Sequence, residues 1–218
     1  MMLLRPDDRT KLDDSNDNFF YQDPRLVTHV DEGFIDRLTQ LYAQKLQPNT
    51  KILDLMSSWV SHLPENLTFA EVVGHGMNGL ELAKNPRLDR YIVQNLNVDL
   101  KLPFEDAYFD AVLNTVSVQY LQYPEAIFSE IHRILKPGGI AIVSFSNRMF
   151  YQKAIAAWRD RSETDRVALV CEYFNHVPGF GKPKYMIERS SGPAFLKMLG
   201  LGGGDPFYAV IAQREPVA

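Results

Sequence analysis

Residues Leu102–Arg148 read LPFEDAYFDAVLNTVSVQYLQYPEAIFSEIHRILKPGGIAIVSFSNR, and this run decides the fold. Leu102-Pro103-Phe104 is a turn whose apolar side chains can bury under a sheet edge. Phe109–Asn114 is a short apolar run in strand style, with Asp110 at its opening. The period then changes. Pro124 suits a first helical turn, and Ile127, Ile131, Ile134 and Leu135 fall on one face at helical spacing. Pro137-Gly138-Gly139 ends that helix in a tight reversal whose glycines permit positive φ. Ile140–Phe145 is apolar again. Strand, helix and strand in succession predict parallel neighbours in a sheet.

The same alternation extends upstream through Lys51–Leu55, Phe69–Gly74 and Tyr91–Gln94. It predicts a mostly parallel sheet covered on both faces, with ligands bound at the carboxyl ends of its strands. Phe34, Leu38, Leu41 and Tyr42 make one face of a helix that starts near Asp31 and stops before Pro48. Beyond Phe150 the chain reads as two helices broken near Ser162, which can cap the second. A loop over 176–183 follows, then a short strand KYMIE, a Gly-rich connection Leu199–Pro206 and a last strand FYAVIAQRE. The five aspartates of residues 7–18 read as an exposed, solvated arm. Phe19, Phe20, Tyr21 and Val27 are too apolar for a free tail and are expected to pack on the domain. No repeat or second domain is visible in residues 1–218. The expected division is an arm and helix (1–48), a core (49–150), a helical cap and loop (151–205) and a last strand (206–218).

Composition excludes several functions. A net charge of −4 with no Lys/Arg-rich stripe gives no surface for nucleic acid or anionic membrane. No run reaches the roughly 18 apolar residues of a membrane span, and the N-terminus turns acidic at once. One cysteine, Cys171, rules out an internal disulfide framework and predicts a reducing compartment, the cytoplasm or another intracellular one. One cysteine and scattered histidines offer no metal-ligand spacing, so no metal is expected. The chain carries no signal of oligomeric state.

Leu102–Leu121 and Ile127–Arg148 together resemble the central half of class I S-adenosylmethionine-dependent methyltransferases, closest to the type 11 group. The likeness extends over about residues 50–150, and DPFYAVIA (205–212) resembles that family's last strand. The resemblance implies an α/β, Rossmann-like seven-stranded sheet, mostly parallel with an antiparallel last strand and helices on both faces. It also implies S-adenosylmethionine bound over strands one, two and four, and a small-molecule methyl acceptor.

By the same resemblance, four stretches fall where the family binds its cofactor. The first is Asp54, Leu55, Met56, Ser57 and Ser58, where Met56, Ser58 and Val60 stand in place of glycines. The hydroxyls of Ser57 and Ser58 are candidates to donate to the cofactor's carboxylate. Trp59 either covers this site or packs between helix and sheet. The second is His75, Gly76 and Met77, where the family's ribose-binding acid falls on Gly76. Asn78 is a neutral replacement, and Glu81 is either a substitute acid or a helix-surface charge. The third is Asn95, Leu96 and Asn97, at the turn that meets adenine. The fourth is Asn114, Thr115 and Val116, where sulfonium and substrate lie. Tyr21, Arg25 and His29 are the polar candidates over the acceptor pocket, His62 can also reach the site, and no catalytic base stands out. The leading expectation is a methyltransferase. The rival is a non-catalytic protein of that fold that binds a ligand or partner. An NAD-type oxidoreductase is disfavoured by the lack of G-x-G-x-x-G.

Overall fold

The computed structural model describes residues 3–189 and 204–216. Seven strands form one sheet: β1 (Lys51–Leu55), β2 (Glu71–Gly76), β3 (Arg90–Val93), β4 (Phe109–Thr115), β5 (Leu135–Phe145), β6 (Lys184–Glu188) and β7 (Phe207–Gln213). Their order is β3-β2-β1-β4-β5-β7-β6. The first five run parallel, and β7 inserts antiparallel between β5 and β6. The order reverses at β1, so β1 and β4 flank the switch point where such sheets open a crevice. Central β1 is buried at four of its five positions, as a strand covered on both faces must be. Edge strands β3 and β6 are largely exposed.

Among the described residues six α-helices accompany the sheet: α1 (Asp17–Phe20), α2 (Glu32–Lys45), α3 (Gly79–Leu82), α4 (Pro124–Ile134), α5 (Ala156–Arg159) and α6 (Glu163–Asn175). One core layer packs Leu53, Val112, Val143 and Val210 against Ile127 and Ile131 of α4 and Val170 and Phe174 of α6. The opposite layer packs Ile52, Leu113 and Ile142 against Phe34, Leu38 and Tyr42 of α2. Asp31 caps α2 by accepting from Phe34 N–H, and Ser162 caps α6 from Asp165 N–H. The expected Gly-rich connection lies outside the described residues up to Gly203.

Strand ends shift by a residue or two from the sequence reading, and one shift is larger. α4 stops at Ile134, and Leu135 already pairs with Phe109, with an irregularity before Ala111 restoring register. The Pro137-Gly138-Gly139 reversal therefore lies inside β5 rather than ending the helix. Only Gly138 takes positive φ, at 81°.

The acidic arm corrects the sequence reading. It is not a solvated tail. Lys153, with no exposed side chain, donates to the Ser15 carbonyl at 2.9 Å and lies 3.1 Å from Asp13 and 3.3 Å from Asp17. Arg9 is buried and pairs with Glu125 in the first turn of α4. Carboxylates crowded in sequence read as solvated, but Asp13 and Asp17 are neutralised by Lys153 from far along the chain, while Asp7 and Asp14 do stay exposed. Phe20 and Tyr21 pack inward as expected, whereas Phe19 and Val27 stand out to solvent.

Removing one member of a buried ion cluster leaves the others uncompensated. Lys153→Met is expected to lower the unfolding free energy in urea by about 3 kcal/mol. It should also speed proteolysis within residues 7–30. An unchanged urea midpoint with an unchanged cleavage rate would contradict this anchoring.

Candidate functional site

The carboxyl ends of β1, β2 and β4 open into a cavity of about 150 Å³, room for roughly ten waters by volume. Asp54 and the loop 56–62 form one wall, and His75 to Asn78 with Glu81 form a second. Gln94 to Asn97 form a third, and Thr115 to Ser117 close the base. The roof is the arm between Tyr21 and Val30, with Phe150 and Tyr120 beside it. Met56 and Trp59 line this space without filling it.

The loop after β1 makes its turn without glycine. Met56 takes φ 59°, His62 φ 51°, and Val116, after β4, φ 45°. A β-branched residue in the left-handed region costs on the order of 1–3 kcal/mol. All three residues line the cavity. Val116 is held there by its N–H bond to the Ser144 carbonyl at 2.8 Å. Val60, one of the residues in place of a glycine, takes no positive φ.

Asp54 is buried, and loss of solvent pushes its carboxyl up to about 6 although Ser57 Oγ donates to it at 2.6 Å. Ser58 Oγ donates to Glu81 at 2.5 Å. Both serine hydroxyls are thus already spent within the protein, contrary to the role in holding a ligand carboxylate. Asn114 and Leu55, register partners on β4 and β1, are also displaced from their expected place. Both are buried, Asn114 Nδ2 lies 3.3 Å from the Leu55 carbonyl, and neither lines the cavity. Thr115 does line it, fixed by the Tyr42 hydroxyl at 2.9 Å.

Gly76 has a local reason. Ser57 N–H bonds the His75 carbonyl at 2.6 Å, laying the loop across the end of β2. A Cβ on Gly76 would meet the Ser57 carbonyl at 2.5 Å. Asn78 is no neutral stand-in for the acid. Its Oδ1 caps α3, and its amide donates to the carbonyls of Tyr21 and Gln22. Glu81 takes the opposite place from a helix-surface charge. Its carboxylate is in the cavity wall and accepts Arg25 N–H at 2.7 Å as well as Ser58 Oγ.

Trp59 covers the site rather than wedging between helix and sheet, and its Nε1 donates to the Val27 carbonyl at 3.1 Å. Asn95 lines the third wall, its Oδ1 accepting Asn97 N–H at 2.9 Å. Leu96 is buried beside it. Asn97 is tied to Tyr120 O and Gln122 N–H. His75 is buried, and desolvation pulls its pKa down to about 4, so the imidazole is neutral. Its ring nitrogens have no partner among the described residues. Arg25 and His29 lie in the roof, His29 edge-on to Phe150 at 5.3 Å. Tyr21 is there too, its hydroxyl pushed well up by burial. Sequence reasoning missed Tyr120, Phe150, Gln94 and Asp17 in the lining, since none stands at a position that the resemblance marks for binding. Among the described residues there is no metal-holding cluster of His, Cys, Asp or Glu, and no helix long and apolar enough to cross a membrane.

Residues 58–143 match the sequence model of the type 11 methyltransferase domain. That stretch, well under half of the chain, is similar to a class I methyltransferase core. A bifunctional biotin-biosynthesis protein from Teredinibacter turnerae is 31% identical to the chain over 100 residues, 44% of this chain. The aligned part is only 17% of that relative's length. Among solved structures, a methyltransferase from Haloferax volcanii in complex with the activator Trm112 superposes with a TM-score of 0.60. It is 14% identical, covering 86% of this chain and 93% of that one. The [4+2]-cyclase SpnF superposes at 0.57 with 20% identity, covering 84% and 82%. At 14% and 20% identity these likenesses show the fold alone. A cyclase among them shows that the fold alone does not name a reaction.

Asp54 supplies a pH test. Its folded-state pKa lies above the unfolded value, so the stability it contributes as an acid is present below about pH 4 and is lost as pH rises through about 6. Two pKa units correspond to about 3 kcal/mol. In urea titrations, Asp54→Asn should gain about that much on the wild type between pH 4 and pH 7. A difference that does not change with pH would contradict the buried, strained carboxyl.

Proposed function

We propose that the chain is an S-adenosylmethionine-dependent methyltransferase acting on a small-molecule acceptor. The observation that carries this reading is the open cavity at the switch point with Glu81's carboxylate in its wall. The family's acid is missing at Gly76, and Glu81 brings a negative acceptor to the same wall from α3. An ionised carboxylate has about four lone-pair sites, and two are used by Arg25 N–H and Ser58 Oγ. The others remain for ribose hydroxyls.

The remaining wall chemistry fits the same cofactor. Asn95 Oδ1 is an acceptor on the adenine side, flanked by apolar Leu96 and Met77. Asp54, Met56, Thr115 and Val116 border the amino-acid and sulfonium end. When bound, the cofactor supplies an electrophilic methyl group. The chain's part is alignment and exclusion of water, which Trp59, Tyr21 and Phe150 perform as a roof. No residue here is placed as a general base. Neutral His29 is the nearest candidate to take a proton from an acceptor that starts protonated. We place this activity in the cytoplasm or another reducing compartment, on the support of the single Cys171.

One observation favours the non-catalytic rival. Asn78 and Glu81 both also hold the arm down, so the site is partly occupied by its own cover. Calorimetry with S-adenosylhomocysteine separates the two readings. Micromolar binding is expected, weakened about tenfold in Glu81→Gln, which keeps the shape but loses the charge of the acceptor. No heat and no thermal shift at millimolar ligand would leave the rival standing.

A further inference from the structure

Arg25 is a cation built into the roof of the cavity with no ion-paired carboxylate among the described residues. Its backbone N–H is fixed on Glu81, and its Nη2 donates to the Phe20 carbonyl at 2.8 Å. The guanidinium lies over the Phe20 ring at 4.5 Å and is 5.3 Å from the Phe150 centroid. Backbone and plane are therefore both held, unlike a surface arginine sampling many rotamers. No carboxylate among the described residues forms an ion pair with the guanidinium. Glu81, its nearest acid in the wall, is engaged through Arg25's main chain instead. Its remaining N–H groups have no protein acceptor among the described residues.

We infer that Arg25 is the anion receptor of this cavity and takes a carboxylate of the bound ligand, an assignment that rests on the proposed small-molecule chemistry. A planar fork of N–H donors matches a carboxylate in two parallel bonds. The walls next to it, Tyr21, Tyr120 and Phe150, are flat and largely apolar, so a ring or alkyl body carrying one carboxylate fits better than a sugar phosphate with many charges. A ligand presented there as an ammonium would meet Arg25's own charge. His29 does not alter this balance, because burial lowers its pKa and keeps it uncharged. Two molecules can bring the carboxylate: the acceptor, or the amino-acid end of the cofactor.

The test compares wild type with Arg25→Met and Arg25→Lys, using calorimetry with four probes. Two are S-adenosylhomocysteine and its decarboxylated analogue. The others are benzoate and benzamide, titrated with S-adenosylhomocysteine already saturating. At least tenfold weaker benzoate binding in Arg25→Met, with benzamide unmoved and partial recovery in Arg25→Lys, assigns the carboxylate to the acceptor. The same loss for S-adenosylhomocysteine but not for its decarboxylated analogue assigns it to the cofactor. Because each neutral probe reports on the folded roof, a loss common to both members of a pair marks collapse of the roof and overturns the assignment. Equal affinities in wild type and Arg25→Met overturn it too. A wild type that binds benzoate through Arg25 without taking S-adenosylhomocysteine, tested then without it, refutes the methyltransferase reading and leaves the receptor in place. No binding of any probe refutes both.

Discussion

The guanidinium of Arg133 holds the turn that leads into β4 against α4, and the central strand enters the sheet from that turn. It donates to the carbonyls of Leu102 and Phe104 at 2.9 and 2.7 Å, to Asp106 at 2.7 Å and to Glu130 at 2.6 Å. Glu130 in turn accepts Leu102 N–H at 2.9 Å. One arginine on α4 thereby fixes the turn that feeds β4. Two residues into that strand region, Asp110 accepts Lys51 N–H and Lys136 Nζ, both at 2.8 Å. Asp110 thereby ties the starts of β1 and β5 to β4. Charge-assisted bonds of this kind are roughly twice as strong as neutral ones.

This explains what could be read from the sequence. The residues that carry the family likeness, from Leu102-Pro103-Phe104 through Glu130, Arg133 and Lys136, are those that make the clamp. They are local in sequence and have fixed partners, so their spacing declares the fold. The strand–helix alternation and the apolar faces of α2 and α4 follow from periodicity. Boundaries were less legible, because Leu135 is drawn into the sheet by pairing with Phe109, a tertiary effect that overrides the helix's own pattern.

The site was legible in position and poorly legible in detail. Strand ends placed Asp54, Gly76, Asn95 and Thr115 around one space. Which groups face it depended on contacts between segments far apart in sequence. Glu81 turns inward because Ser58 and Arg25 give it donors, Asn78 is consumed by capping and by the arm, and Asn114 turns to Leu55. The arm itself was misread at its acidic end because Lys153 neutralises Asp13 and Asp17, charges that, taken alone, belong in water, while Arg9 pins the arm to Glu125. Residues such as Tyr120 and Phe150 carry no local mark of function at all. Their role comes only from where the arm is laid down.

The close approach of the Ser57 carbonyl to Gly76 has an evolutionary consequence. Restoring an aspartate at position 76 by itself would drive its Cβ into backbone 2.5 Å away. The loop backbone at Ser57 has to move before any side chain fits at position 76. Single substitutions there are closed off, and variation in the acid of this wall is channelled to Glu81 on α3.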